Sequence, residues 1–75
     1  MKEKTKWQFD GKIFICGSIL AKPRMVTTTY AVSVPKAISN IKFRYRRDAG
    51  YGNGIEVRIQ GIMYGNDGTE YRIDA

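Results

Sequence analysis

Lys42, Arg44, Arg46 and Arg47 fall within six residues of one another, and no other six-residue stretch holds as many basic side chains. Guanidinium groups donate paired hydrogen bonds to phosphate or carboxylate oxygens, so the chemistry on offer is anion binding. Catalysis is not indicated. The chain has no histidine, which removes His-based general-base catalysis and His–metal sites. The seven carboxylates (Glu3, Asp10, Asp48, Glu56, Asp67, Glu70, Asp74) are scattered, and Asp10, Asp48 and Asp67 sit where Asp favours turns. Cys16 is the single cysteine, so neither an intrachain disulfide nor a cysteine-based zinc site can form. Its place inside the most apolar stretch reads as a buried structural thiol. The run Gly50-Tyr-Gly-Asn-Gly54 lacks the lysine and following helix of a phosphate-binding loop. The expectation is a non-enzymatic protein without metal or cofactor.

The elements that carry the cluster belong to one domain, residues 1–75, with a basic tail at 1–5. A 43% hydrophobic content supplies a globular core, though 75 residues bury only a small one. Thirteen Lys and Arg against seven Asp and Glu give a net charge of +6, which points to a polyanionic partner. The longest apolar run, Ile13 to Cys16, cannot span a bilayer, so no membrane is expected. The start (Lys2, Lys4, Lys6, then Trp7-Gln8-Phe9-Asp10) does not read as a signal peptide, and the simplest location is the cytoplasm.

Period-2 alternation dominates the chain. Lys6 to Phe9 and Lys12 to Leu20 flank Asp10-Gly11, a pair suited to a tight hairpin turn. Lys22-Pro23-Arg24 interrupts the pattern. Val26, Thr28, Tyr30, Val32 and Val34 then alternate with Thr27, Thr29, Ala31 and Ser33, which places the small, hydroxylated set outward. Residues 35–49 admit two readings. As a helix, Ser33 or Val34 precedes Pro35 near N1, Gly50 follows the end, and Val34, Ile38, Ile41, Tyr45 and Ala49 share a face. As a helical turn at 35–40 followed by a strand, Ile41, Phe43 and Tyr45 alternate with Lys42, Arg44 and Arg46. The second is preferred, because the helix leaves Phe43 off its apolar stripe. Residues 48–54 form a glycine-rich loop. Ile55, Val57 and Ile59 continue as a strand, and a bulge at Gly61 brings Ile62 and Tyr64 to the same face. Gly65-Asn66-Asp67-Gly68 is a turn before a last strand with Tyr71 and Ile73 inward. About five or six short antiparallel strands make an all-β barrel or strongly curved sheet.

In that arrangement Arg46 faces Glu56 and Arg44 faces Arg58 across a hairpin, and an anion would relieve the like-charge pair. Tyr51, between glycines, is the foremost candidate for base stacking, with Tyr30, Tyr64 and Phe14 as further candidates. Trp7 is expected to pack over one end of the core. Lys22 and Arg24 extend the basic track, and the Lys2, Lys4 and Lys6 tail adds sequence-independent contacts.

Ile13-Phe-Ile-Cys-Gly-Ser-Ile-Leu-Ala-Lys-Pro-Arg24, Tyr30-Ala-Val-Ser-Val34, Ile55-Glu-Val-Arg-Ile-Gln-Gly61 and Tyr71-Arg-Ile-Asp-Ala75 are similar to strands of the oligonucleotide-binding (OB) fold of bacterial single-stranded DNA-binding proteins. The resemblance covers about half the chain. It implies an OB-like barrel that binds single-stranded DNA. The family has more residues between its third and fourth strands, and stacking aromatics that have no counterpart here.

The expected function is binding of single-stranded DNA or RNA through Lys42, Arg44, Arg46, Arg47 and Arg58, helped by Lys22, Arg24 and Tyr51, with little sequence preference. The alternative is a protein-interaction module, an accessory or inhibitor protein that docks on a larger assembly by its basic face or an edge strand. Self-association into a homo-oligomer fits so small a core.

Overall fold

A computed structural model of the chain describes residues 3–51 and 54–75. Among them are four strands and one helix: β1 (Thr5–Ile15), β2 (Ile19–Ala31), α1 (Val34–Ala49), β3 (Val57–Tyr64) and β4 (Glu70–Asp74). The strands form an antiparallel sheet in the order β2-β1-β3-β4. The helix carries the chain over β1 from β2 to β3. The expected antiparallel sheet is present, but it is open and four-stranded rather than a closed barrel, and it carries a full helix.

That helix is the largest correction. Residues 41–47 belong to α1 and not to a strand, so the helical turn expected at 35–40 is its first part. Both ends are fixed by local chemistry. Ser33 is the N-cap, its hydroxyl accepting from the Lys36 N–H at 3.5 Å, and Pro35 occupies the first turn. Gly50 is left-handed (φ 77°), its N–H donates to Arg47 O at 3.2 Å, and the Tyr51 N–H donates to Arg46 O at 2.9 Å. That pair of bonds is a Schellman C-cap, and Arg46 and Arg47 complement the helix dipole beside it. Ala37, Ile41 and Tyr45 are buried along one stripe with Val34 and Ile38 beside them. Phe43 lies on the opposite side and is 60% exposed. A single exposed aromatic costs little. It could not outweigh two caps and a continuous stripe.

The core lies between α1 and one face of the sheet. Phe9 and Ile13 from β1, and Val57, Ile59 and Met63 from β3, are buried against Ala37, Ile41 and Tyr45. Trp7 packs on one end of this cluster, as expected, its ring 5.8 Å from that of Tyr71 and its Nε1–H donating to Ala31 O at 3.1 Å. On β2 the inward set is the small one: Thr29 and Ala31 are buried, while Val26, Tyr30 and Val32 are exposed. The sequence pattern suggested the reverse. Side chains as small as Thr29 and Ala31 let the helix sit close to β2.

Several strand boundaries also differ. Asp10-Gly11 is not a turn, because β1 runs through it and pairs with β3 without a break from Gln8↔Tyr64 to Ile15↔Val57. Gly11 opposes Gly61 in that ladder. A Cβ on Gly61 would stand 2.5 Å from the Gly11 Cα, and one on Gly11 would stand 2.7 Å from the Phe9 ring. Glycine is needed there for space. No bulge occurs at Gly61, so Met63 is buried while Ile62 and Tyr64 point to the other face. The irregularity is on β2, whose register shifts between Gly11 and Phe14 and accommodates Pro23 on an edge strand. The β1–β2 hairpin turns at 16–18, where Cys16 (φ 52°) and Gly17 (φ 91°) are left-handed. Cys16 is therefore exposed in a turn and not buried in a strand. The turn at 65–68 forms as expected, with the Thr69 N–H donating to Asp67 Oδ1 at 3.0 Å. That bond holds the Asp67 carboxyl below its ordinary pKa. Met1 and Lys2 of the basic tail, and Gly52 and Asn53 of the glycine-rich loop, lie outside the described residues.

Replacing Ile41 with Ala should lower unfolding free energy by about 2–5 kcal/mol, as for other fully buried aliphatics. Replacing Phe43 with Ser should change it by less than about 0.5 kcal/mol. Chemical denaturation of the two variants separates the helix from the strand assignment, since a strand would bury both residues.

Candidate functional site

In a helix, residues two apart point to opposite flanks, so the arginine cluster is divided. Arg44 turns to the sheet edge, its guanidinium donating to Thr28 O at 2.7 Å and Thr27 Oγ1 at 3.2 Å. Asn40, one turn earlier, donates to Tyr30 O at 3.1 Å. These two side chains clasp α1 to β2 and occupy carbonyls of an edge strand. Arg46 is on the other flank and donates from Nε to Ile55 O at 3.0 Å, tethering the segment that leads into β3. Arg47 is exposed and rests 3.4 Å from its neighbour Asp48. Lys42 makes no ion pair among the described residues. Lys22 is on the helix side, where it lines a hollow of about 300 Å³ with Met25, Tyr45, Asp48 and Ala49. Tyr51 lies beside the same end of α1, with ring centroids 6.0 Å from Tyr45. Burial, and then the nearby Tyr51 hydroxyl, raises the Tyr45 pKa.

Arg58 belongs to a different surface. It stands between the buried Val57 and Ile59, so it projects from the sheet face that α1 does not cover. The expected Arg44–Arg58 opposition does not exist, because that hairpin required residues 41–47 to be a strand. Of the sequence-predicted residues, Arg24 and Arg58 share the open face, and Lys42, Arg44, Arg46, Arg47, Lys22 and Tyr51 lie on the helix side.

The open face is built by the outward residues of all four strands. Its middle carries Lys6, Gln8, Asp10, Lys12 and Phe14 from β1. Across the ladder, Tyr64 faces Gln8, Ile62 faces Asp10, Gln60 faces Lys12 and Arg58 faces Phe14. On the outer strands, Tyr30 pairs with Lys6 and Val26 with Asp10, while Arg72 pairs with Ile62 and Asp74 with Gln60. The Arg58 guanidinium lies 5.9 Å from the Phe14 ring centroid and donates from Nε to Asp74 Oδ1 at 2.8 Å. Arg24 makes a two-pronged contact with Asp10, at 3.3 and 3.1 Å. Lys6, Lys12 and Arg72 form no ion pair among the described residues. The face thus combines fixed and free cations with aromatic rings.

For a solvated sheet face it is unusually apolar. Val26 and Tyr30 are 52% and 61% exposed, and Phe14, Ile62 and Tyr64 are half-buried beside them. One-sided sheets normally place polar residues on the wet face. Lys12 and Arg72 were missed as site residues and Lys6 was expected only to add general contacts with the N-terminal lysines, yet Lys6, Gln8, Asp10 and Lys12 do alternate with Trp7, Phe9, Gly11 and Ile13. Reading Asp10-Gly11 as a turn concealed one continuous strand.

Compared with protein-family models, with curated proteins and with solved structures, the chain matches none. Among the described residues no helix is long and apolar enough to cross a membrane.

The division of the arginines is measurable. Arg44→Ala removes two hydrogen bonds between α1 and β2, and should cost about 1–2 kcal/mol of stability. Arg47→Ala removes an exposed pair with a sequence neighbour and should change stability by less than about 0.5 kcal/mol. Urea melts of the two variants make the comparison.

Proposed function

We propose that the protein binds single-stranded nucleic acid on the open face of its sheet. The observation that carries this reading is the uncovered four-stranded face, on which Phe14, Tyr64 and Tyr30 stand among Lys6, Lys12, Arg58 and Arg72. Every base has a π-face, so rings on a sheet accept successive bases in any sequence, while cations track the phosphates. A duplex presents its bases stacked and inaccessible to such a platform. Phe14 and Tyr64 are six residues apart in the β1 register, about 20 Å along the strands, a span suited to a few extended nucleotides. The net charge of +6 supports long-range attraction. Lys42, Lys36 and Arg47, on the far side, add to that field without touching the strand. Contacts to phosphate and base stacking dominate, so overall sequence preference is low.

The second reading, a module that docks on an acidic protein surface, has its own support. Phe43 is 60% exposed at the centre of the solvent side of α1, with Lys36 and Arg47 on the same side. The two readings use opposite faces of the molecule.

An anisotropy titration with a labelled thymidine oligonucleotide tests the first reading. With about four phosphates engaged, affinity should fall about 50-fold between about 50 and about 200 mM salt. Phe14→Ala and Tyr64→Ala should each weaken binding by about 1–3 kcal/mol. Phe43→Ser should leave it unchanged. An affinity that ignores both salt and the two rings contradicts the proposal, and loss confined to Phe43→Ser transfers the site to the helix.

A further inference from the structure

Within the open face, the geometry points to a pocket for one base, with guanine as the base it selects; this inference rests on the proposed nucleic-acid function and sharpens it. A depression of about 380 Å³ opens between β3 and β4, near the lower end of small-ligand sites. Four outward side chains frame it: Gln60 and Ile62 on β3, Asp74 and Arg72 on β4, with Gly61 and Ile73 completing the lining. Gln60 pairs with Asp74 and Ile62 with Arg72 in the strand register, so the four corners belong to two adjacent rows.

The corners differ in chemistry. Ile62 is an apolar wall against which a flat ring can pack. Arg72 has no carboxylate partner among the described residues, so its guanidinium is available to a phosphate. Asp74 is held in place from one side only. Both guanidinium contacts from Arg58, at 2.8 and 2.5 Å, fall on Oδ1, and no protein group among the described residues donates to Oδ2. The result is an oriented carboxylate with one oxygen in reserve. Gln60 adds an amide, with one acceptor and two donors.

A carboxylate accepts and cannot donate, so it selects a base edge that presents adjacent N–H groups. Guanine offers N1–H and N2–H₂ side by side, with the O6 acceptor next to them. Asp74 Oδ2 can accept from N1–H and N2–H₂, and the Gln60 amide can donate to O6. Adenine and cytosine place a ring-nitrogen acceptor where guanine has N1–H, which would oppose the carboxylate. Thymine has a single N–H between two carbonyls. A carboxylate on a face that binds polyphosphate is unfavourable for general attraction, and a hydrogen-bonding duty toward a base gives it a purpose there.

The test uses nine-nucleotide single strands of thymidine whose central position is guanine, adenine, cytosine or thymine, with the intact chain and anisotropy as the readout. Guanine should bind at least about tenfold more tightly than the other three, within the discrimination that matched hydrogen bonds to a base edge supply. Asp74→Asn should abolish that advantage while leaving affinity for the all-thymidine strand equal or higher, since it removes a negative charge. Because that variant also loses the Arg58 ion pair, Gln60→Ala serves as a second variant and should lower the guanine advantage several-fold. Arg72→Gln should weaken all four strands alike. Equal wild-type affinity for all four overturns the guanine pocket and leaves the nucleic-acid function standing, as does a preference that survives both Asp74→Asn and Gln60→Ala. Failure to bind any of the strands overturns the pocket and the function together.

Discussion

One helix can cover one face of a four-stranded sheet, and everything else in this molecule depends on how that coverage is achieved. Ala37, Ile41 and Tyr45 press onto Phe9, Ile13, Ile59 and Met63, and this single layer is the core. Burial of Phe9, Ile13, Ile41, Ile59 and Met63 contributes about 1.5–3 kcal/mol each. Small residues at Thr29 and Ala31 let the helix approach β2, and Arg44 and Asn40 fasten it there. In the central ladder Gly11 and Gly61 face each other, and the facing backbone, with the Phe9 ring beside Gly11, occupies the space that side chains would need. With all buried groups on one side, the other side of the sheet has no cover within the described residues.

That asymmetry separates two kinds of cation. Arg44 and Arg46 spend their hydrogen bonds on backbone carbonyls and hold the helix in place. Arg24 and Arg58 are pinned by Asp10 and Asp74 on the open face, in positions where a phosphate would compete with a carboxylate. Lys6, Lys12 and Arg72 share that face without such a partner. An excess of charge in the composition therefore resolves into residues that build the fold and residues free to meet an anion.

Much of this was legible in the sequence, and the errors have physical causes. Antiparallel strands, the turn at 65–68 and the end-capping place of Trp7 follow from alternation and turn chemistry. The helix was also legible: Ser33, Pro35, Gly50 and the stripe through Ile38, Ile41 and Tyr45 all announced it. Phe43 misleads because Ile, Phe and Tyr favour a strand locally, while the caps that settle the helix stand at its two ends, at Ser33 and Gly50. Gly11 and Gly61 misled because glycine serves two needs, positive φ and close approach, and only the fold reveals which applies. The open face was invisible for the same reason: its residues alternate correctly only once Asp10-Gly11 is read as strand interior. What no local pattern carries is that Phe14, Arg58 and Asp74, far apart in sequence, become neighbours.

The most direct test of the account is a nuclear magnetic resonance titration of the intact protein with a thymidine oligonucleotide, following side-chain as well as amide signals. The open-sheet account requires that the rings of Phe14, Tyr64 and Tyr30 shift progressively, while Lys36, Phe43 and Arg47 on α1 stay in place. Shifts confined to α1, or none at all, would contradict it.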